Sequence, residues 1–223
     1  MDGIEVAPSI LSADFARLAD QLEPLLAAGV RVVHLDVMDG HFVPPITFGP
    51  LVVGALRKQV HGAGACLDVH LMVERPERHL EAFAEAGADS VTIHLEATPH
   101  PHYALAAAQR LGLRAGVALN PGTPAAAVVE LADALDHVLC MTVDPGWAGQ
   151  RFIERSVEKV ARLRELLPSG VPIQVDGGID VATAVACRRA GAQLFVAASA
   201  IFQAGDAVAA WREITRAVRA PAA

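Results

Sequence analysis

A short apolar run followed by an amphipathic stretch recurs eight times along the chain, and this recurrence limits the folds open to it. The apolar runs are continuous rather than alternating, which is typical of strands buried on both faces of a parallel sheet. The stretches between them are rich in Ala, Leu, Arg and Glu and have the apolar spacing of surface helices. The runs occupy residues 4–8, 32–37, 65–71, 90–94, 115–119, 137–143, 171–175 and 193–197.

Eight such units in 223 residues average about 28 residues each, which is the size of one βα unit. We therefore predict an α/β fold, a (β/α)₈ barrel formed by residues 1–223 as one domain. The alternative is an open doubly wound sheet, which has fewer strands and often a GxGxxG motif that this chain lacks. Glycines at the ends of five predicted helices are expected to be left-handed C-caps: Gly29, Gly87, Gly112, Gly170 and Gly191.

Charge and composition exclude several classes of partner. The net charge of −7 leaves no basic surface for nucleic acid. No apolar run approaches the ~20 residues of a membrane span, and the first residues lack the basic segment of a signal peptide. The three cysteines, Cys66, Cys140 and Cys187, share no CxxC spacing, which favours buried thiols over disulfides. We expect a protein of the reducing cytoplasm without membrane or nucleic-acid partners.

Polar residues interrupt the apolar runs near predicted strand ends, where a barrel carries its active site. Strand alternation places His34 and Asp36 on one face of the second strand, and His70 has the matching position on the third. Asp176 ends the seventh strand. Two imidazoles and two carboxylates suit one divalent ion of Zn, Fe, Mn or Co better than Ca²⁺ or Mg²⁺. Each residue alone is more often an ordinary strand-end or core residue, but inward charges together are costly unless paired or metal-bound.

Small residues follow the last three predicted strands. The segments 143–150 and 176–178 are rich in glycine, and residues 197–199 are Ala, Ala and Ser. The loops after the seventh and eighth strands are the usual phosphate site of this barrel, where backbone N–H groups receive the anion. One such loop is weak evidence because glycine turns are common. Three adjacent loops favour a small phosphorylated ligand.

Five segments resemble the ribulose-phosphate 3-epimerase family in their order and spacing, from the first strand to the seventh. They read APSILS (7–12), HLDVMDGHFVP (34–44), LDVHLMV (67–73), LNPGTP (119–124) and VDGGI (175–179). The resemblance covers nearly the whole chain, and the two longest motifs are highly specific. It implies the same barrel and a metal-dependent isomerase of the pentose phosphate pathway. The implied reaction interconverts D-ribulose 5-phosphate and D-xylulose 5-phosphate through an enediolate.

The resemblance also implies a role for individual residues. Asp36 and Asp176 would be the acid/base pair and, with His34 and His70, the metal ligands. Substrate and phosphate contacts would come from Ser9, His70, Gly146, Trp147, Ala148, Gly149, Gly177, Gly178, Ala198 and Ser199. The residues lining the reacting centre would be Met38, Met72 and Met141.

The chain departs from the family at Ala148 and Ala198, where glycine is usual. We expect both alanines to keep a negative φ, since a left-handed backbone would cost roughly 1–2 kcal/mol each. The substrate stays open between a pentulose phosphate and a hexulose 6-phosphate such as allulose 6-phosphate. An aldolase or decarboxylase on this barrel should lack the His-x-Asp motif, and a barrel that only binds would not need all four metal ligands. The family's habit of association implies a homo-oligomer.

Overall fold

The computed structural model describes residues 3–220, and its eight parallel strands form one sheet that curves into a barrel. Neighbouring strands pair in the order β1-β8-β7-β6-β5-β4-β3-β2. The edges β1 and β2 meet through a parallel bridge between Ser9 and His34. The predicted (β/α)₈ fold is confirmed. The strands are β1 (Glu5–Pro8), β2 (Val32–Met38), β3 (Cys66–Met72), β4 (Ser90–His94), β5 (Arg114–Leu119), β6 (His137–Met141), β7 (Ile173–Asp176) and β8 (Leu194–Ala197).

Helices connect the strands and surround the barrel. The α-helices are α1 (Leu18–Ala27), α2 (Pro50–Gly62), α3 (Leu80–Ala86), α4 (Pro101–Arg110), α5 (Ser156–Leu166), α6 (Val181–Arg189), α7 (Ser199–Phe202) and α8 (Ala207–Arg219). Short 3₁₀ helices cover Ile10–Ser12, Phe15–Arg17, Pro76–Arg78 and Leu95–Ala97, and a longer one, Ala125–Ala134, joins β5 to β6. Within residues 3–220, no helix has both the length and the apolar character needed to cross a bilayer.

The two faces of the strands have different chemistry. Outward side chains such as Leu35 and Leu71 are fully buried in the main core, which they share with helix residues such as Leu22. Inward positions of the same strands carry buried polar side chains, including His34 and Asp68. The helices therefore stabilise the barrel from outside through apolar packing, and the polar residues are held inside it.

Some predicted boundaries were wrong. The seventh strand begins at Ile173 rather than at Val171, since Pro172 has no N–H to donate to a neighbouring strand. The sixth strand ends at Met141, two residues earlier than expected. Among the predicted C-cap glycines, Gly170 does not have a positive φ, and Pro168 follows the end of α5. The other four do, with φ of +106° at Gly29, +101° at Gly87, +81° at Gly112 and +113° at Gly191.

Candidate active site

Strand register brings the predicted metal ligands to one end of the barrel. Asp36 on β2 lies beside His70 on β3, and Met141 on β6 lies beside Asp176 on β7. Because parallel strands with matching parity point these side chains to the interior, they converge on the barrel axis. One ligand atom from each member lies within 4.8 Å of the others in a group that we call the His/Asp cluster: His34, Asp36, His70 and Asp176.

Contacts within the cluster indicate that a cation fits between its members. Asp36 Oδ1 lies 3.3 Å from His34 Nε2 and 3.0 Å from His70 Nδ1. His34 Nδ1 lies 2.8 Å from Asp68 Oδ2, so the carboxylate of Asp68 holds the ring proton on Nδ1. His34 Nε2 faces Asp36 and has no hydrogen-bond partner among the described residues, so after losing its proton this nitrogen can offer a lone pair to a metal ion. A divalent ion at this place could take one ligand atom from each residue, so the donor set fits a metal.

Burial and neighbouring charges shift the pKa values of the two carboxyl groups of the cluster in opposite directions. Burial raises the pKa of Asp36, but His34 and His70 outweigh it and hold that pKa well below its usual range. Burial and then the charge of Asp36 raise the pKa of Asp176. The cluster therefore combines a strongly ionised carboxylate with a carboxyl group that accepts a proton more readily. Such a difference is typical of an acid/base pair.

A cavity of about 500 Å³, including space open to solvent, lies at this end of the barrel. Both carboxylates, Asp36 and Asp176, line it. The same wall contains the three methionines that were expected at the reacting centre, Met38, Met72 and Met141. It also contains the residues that were expected around the phosphate, namely Gly146, Trp147, Ala148, Gly149, Gly177, Gly178, Ala198 and Ser199.

Two residues expected to contact substrate lie behind the cavity wall rather than in it. Ser9 is fully buried, and its hydroxyl donates a hydrogen bond to Asp36 Oδ2 at 2.5 Å. Ser9 follows β1 and bridges to β2, so its side chain meets Asp36 before it can reach the cavity. His70 is also fully buried, with Nδ1 directed into the His/Asp cluster. Ser9 therefore orients a carboxylate in this structure.

The turn after β7 requires glycine at both of its positions. Gly177 has φ of +113°, and a Cβ atom there would lie 2.3 Å from the Val143 side chain. Gly178 has φ of +64°, and its Cβ would lie 2.9 Å from the backbone nitrogen of Phe152. The Thr142 hydroxyl donates to the Gly177 carbonyl at 2.5 Å, which holds the turn against the loop after β6. The backbone at this rim is therefore bare and fixed, as an anion site requires.

The two alanines that replace family glycines keep a negative φ, as predicted. Ala198 has φ of −107° where it precedes α7. Within residues 3–220, Arg75 is the only non-glycine residue with a positive φ, so Ala148 is negative as well. Neither alanine therefore has the backbone strain that a left-handed conformation would impose.

The structure adds residues that the sequence analysis did not assign to the site. Leu11 and Ile179 line the cavity and lie within the motifs APSILS and VDGGI, so the sequence contained a signal for both. Gln150 also lines it, and its amide donates to the Asp144 and Trp147 carbonyls at 2.6 and 3.0 Å. These two bonds shape the loop after β6. Val196, an apolar residue within β8, had no signal in the sequence.

A second layer of buried polar residues supports the His/Asp cluster. Asp68 accepts hydrogen bonds from His34 and from the Gln174 amide, each at 2.8 Å. On the other side, His94 Nε2 lies 2.8 Å from His70 Nε2, and Glu96 Oε2 lies 3.4 Å from His94 Nδ1. Both histidines of the cluster thus have a partner on the nitrogen that faces away from it.

Solved structures with a similar fold have low sequence identity to this chain. Orotidine 5′-phosphate decarboxylase from Pyrococcus horikoshii has a TM-score of 0.71 at 16% identity, covering 96% of this chain and 99% of the other. 3-Hexulose-6-phosphate synthase from Salmonella typhimurium has a TM-score of 0.72 at 15% identity, covering 96% and 98%. At these identities the likeness concerns the fold alone.

Curated proteins are much closer in sequence. Ribulose-phosphate 3-epimerase from Rhodobacter capsulatus is 47% identical over 204 residues, which are 91% of this chain and 88% of the relative. The protein of the same name from Bacillus subtilis is 45% identical over 215 residues, 95% of this chain and 98% of the relative. The model of the ribulose-phosphate 3 epimerase family matches residues 5–202. Together with the barrel and its His/Asp cluster, these matches establish that the chain belongs to the ribulose-phosphate 3-epimerase family.

Proposed function

We propose that this chain interconverts D-ribulose 5-phosphate and D-xylulose 5-phosphate by exchanging a proton at C3. The observation that carries the proposal is the pair Asp36 and Asp176, which line one cavity beside two buried histidines. The curated relatives named ribulose-phosphate 3-epimerase support the same reaction. The substrate and product are ketose phosphates of the pentose phosphate pathway.

The pair of carboxylates suits an inversion at carbon. Inverting C3 requires that a proton leave one face of the substrate and that another arrive on the opposite face. One base cannot easily reach both faces, so two groups are needed. Asp36, whose pKa is held low, is ionised at the start of the reaction and is therefore the group placed to act as the base. Asp176, whose pKa is raised, is the group ready to return one, and the two exchange roles in the reverse reaction.

We propose that the His/Asp cluster holds one divalent metal ion, with Zn, Fe, Mn and Co as candidates. Two imidazole nitrogens and two carboxylates suit these ions better than Ca²⁺ or Mg²⁺. When bound, the ion would stabilise the negative charge that develops on the substrate oxygen, an effect of several kcal/mol. Ser9 supports this role because its hydrogen bond fixes the second oxygen of Asp36.

The rest of the cavity supports binding of a small sugar phosphate. The glycine-rich loops after β6 and β7 and the start of α7 offer backbone N–H groups to a phosphate. The three methionines add apolar walls that exclude water without offering protons to the intermediate. Trp147 is 54% exposed in the loop after β6, where it can cover bound substrate.

Isosteric variants of the two carboxylates test the mechanism. We expect Asp36→Asn and Asp176→Asn each to lower kcat by about 10²–10⁴-fold, since each removes one proton-transfer group. Asp133→Asn, at an exposed position, is the control. Exchange of the C3 proton with deuterated solvent shows which half-reaction each variant retains. Normal turnover by both variants would sink the mechanism.

The substrate preference is tested by assaying D-ribulose 5-phosphate and allulose 6-phosphate side by side. We expect a higher kcat/KM for the pentulose phosphate, because the relatives at 45–47% identity bear that substrate in their names. A higher value for the hexulose phosphate would overturn the substrate while leaving the mechanism intact. Formaldehyde or carbon dioxide release would instead indicate an aldolase or a decarboxylase.

We also propose that copies of this chain associate and act in the cytoplasm. Ile46 and Leu51 are 80% and 90% exposed, and such apolar surface is typical of protein contacts. Sedimentation velocity would test association, and a purely monomeric protein would overturn it. One relative, from Arabidopsis thaliana, is a chloroplastic protein, so fractionation of the source cells is the test of location.

A further inference from the structure

Two buried histidines share one hydrogen bond on the side of His70 that faces away from the His/Asp cluster. His70 Nε2 lies 2.8 Å from His94 Nε2, and both residues are fully buried. Between two neutral imidazoles this bond needs a proton on one of the facing nitrogens and a lone pair on the other, and either ring can be the donor. The tautomer of His94 therefore determines the tautomer of His70.

Metal binding needs one particular arrangement of these protons. His70 directs Nδ1 toward Asp36 and Asp176, at 3.0 and 3.6 Å, so Nδ1 must offer the lone pair to an ion. The ring proton of His70 then lies on Nε2 and is donated to His94 Nε2. His94 must accept at Nε2 and carry its own proton on Nδ1.

Glu96 is placed to select that form of His94. Its Oε2 atom lies 3.4 Å from His94 Nδ1, a long contact in which the negative charge favours a proton on Nδ1. Its Oε1 atom accepts hydrogen bonds from the Asn120 N–H at 2.9 Å and from the Thr123 hydroxyl, which fix the carboxylate. His94 itself is fully buried, so water screens the charge of Glu96 at its Nδ1 only weakly.

We propose that Glu96 and His94 are positioning residues that set the tautomer of His70 and leave its Nδ1 free to bind the metal ion. The inference rests on the proposed metal role of the His/Asp cluster. The tautomer of His34 is set in the corresponding way, by direct contact of its Nδ1 with Asp68. The two metal histidines thus present different nitrogens, Nε2 of His34 and Nδ1 of His70. A carboxylate specifies each, the fully buried Asp68 directly and the partly exposed Glu96 through His94.

Glu96→Gln should favour the opposite tautomer of His94 while keeping the hydrogen bonds that Asn120 and Thr123 donate to residue 96. The Gln Oε1 atom can still accept from Asn120 and Thr123, and the amide NH₂ then faces His94 Nδ1. A donor at that place favours a lone pair on His94 Nδ1, which moves protons to His94 Nε2 and then to His70 Nδ1. We expect the Kd for Zn²⁺, measured by chelator competition, to rise by about 10–100-fold. Glu81→Gln, an exposed carboxylate on α3, is the matched control and should leave the Kd unchanged.

We call the chain of contacts from Glu96 through His94 to His70 the relay. A second variant distinguishes loss of this relay from a general loss of structure. In His94→Gln, the side-chain carbonyl can accept the His70 Nε2 proton without any help from Glu96. Adding Glu96→Gln to this variant should therefore weaken Zn²⁺ binding no further. Equal weakening by Glu96→Gln in both backgrounds would overturn the relay, because it would show that Glu96 acts independently of His94. Melting temperatures of all variants report folding.

The tautomer itself is measured on metal-free protein at alkaline pH by ¹⁵N NMR of the imidazole rings. We expect the His70 proton on Nε2 in the wild-type protein and on Nδ1 in Glu96→Gln. The same nitrogen protonated in both proteins would overturn the relay whatever the metal affinities are. Wild-type protein that does not bind Zn²⁺, Mn²⁺, Fe²⁺ or Co²⁺ would instead overturn the proposed metal role, and the NMR result would still decide the relay.

Discussion

At the scale of single residues, the least expected feature is a carboxylate in the barrel interior. Asp68 has no exposed surface and is held by His34 and Gln174, each at 2.8 Å. Burial raises its pKa, but the hydrogen bond and charge of His34 outweigh this and lower it below the usual range. A buried charge persists only when it is paired, so Asp68 and His34 depend on each other.

Asp68→Asn should therefore destabilise the fold strongly. Removing one partner of a buried ion pair typically costs about 3–5 kcal/mol of unfolding free energy. Urea denaturation followed by circular dichroism measures the change, with Asp133→Asn as an exposed control. A loss below about 1 kcal/mol, the value of a surface pair, would contradict a buried charge at this site.

His94 predicts a specific pH dependence of stability. Burial lowers its pKa from 6.5 to about 4, so the unfolded chain takes up a proton at a higher pH than the folded protein. The contribution of His94 to the unfolding free energy is complete above pH 6.5 and decreases as the pH falls from 6.5 toward 4. We expect the unfolding free energy of His94→Gln to fall less steeply than that of wild type across this window. The exposed variant His100→Gln should keep the wild-type slope, and equal slopes for all three proteins would contradict the shift.

At the scale of elements, the rim of the cavity depends on loops whose backbone is fixed by contacts between strands. The Thr142 hydroxyl, just after β6, donates to the carbonyls of Asp176 and Gly177 at 2.8 and 2.5 Å. The loop after β6 and the turn after β7 therefore form one connected unit. Short and mutually braced loops of this kind hold backbone donors in place before a phosphate arrives.

Gly178→Ala should damage both stability and phosphate binding. The backbone there has φ of +64°, and the added Cβ would lie 2.9 Å from the Phe152 backbone nitrogen, which cannot move aside as a side chain can. We expect a loss of unfolding free energy of about 1–2 kcal/mol or more and a raised KM for the sugar phosphate. Gly122→Ala is the control, because no atom lies within 4 Å of its Cβ position. Unchanged KM and melting temperature in Gly178→Ala would contradict the role given to this turn.

At the scale of the whole molecule, closure of the barrel creates the site. His34 and Asp36 lie on β2, His70 on β3 and Asp176 on β7, so the His/Asp cluster joins strands that are far apart in the chain. An ion held by such a cluster binds the folded barrel and not the unfolded chain. Binding of a metal ion at the cluster would consequently be coupled to the stability of the entire fold.

Metal removal should therefore lower the melting temperature. When the free metal concentration is about 100 times the Kd, binding adds about 2.7 kcal/mol to the unfolding free energy. Differential scanning fluorimetry with Zn²⁺ or Mn²⁺, and after dialysis against a chelator, measures the shift. We expect no metal-dependent shift in His70→Ala and the full shift in His102→Ala, a histidine exposed on α4. A shift retained in His70→Ala would place the metal elsewhere.

The sequence by itself determined the barrel and the residues that point to its axis. Repetition of apolar runs predicts the eight strands, and a period of two places His34, Asp36 and His70 on inward faces, because strand geometry depends on local spacing alone. The negative φ of Ala148 and Ala198 also followed from local backbone sterics. The end of β6 and the start of β7 were each missed by two residues, because strand ends depend on pairing with a neighbour.

Tertiary structure alone decided how these residues are partnered. Ser9 binds Asp36, Asp68 holds His34, and Glu96 faces His70 through His94, although each pair lies between 26 and 34 positions apart in the chain. No local pattern carries such information, because a hydrogen bond depends on distances of about 3 Å that only the closed barrel sets. Sequence thus names the metal-ligand candidates, and the folded barrel specifies which atom of each can act.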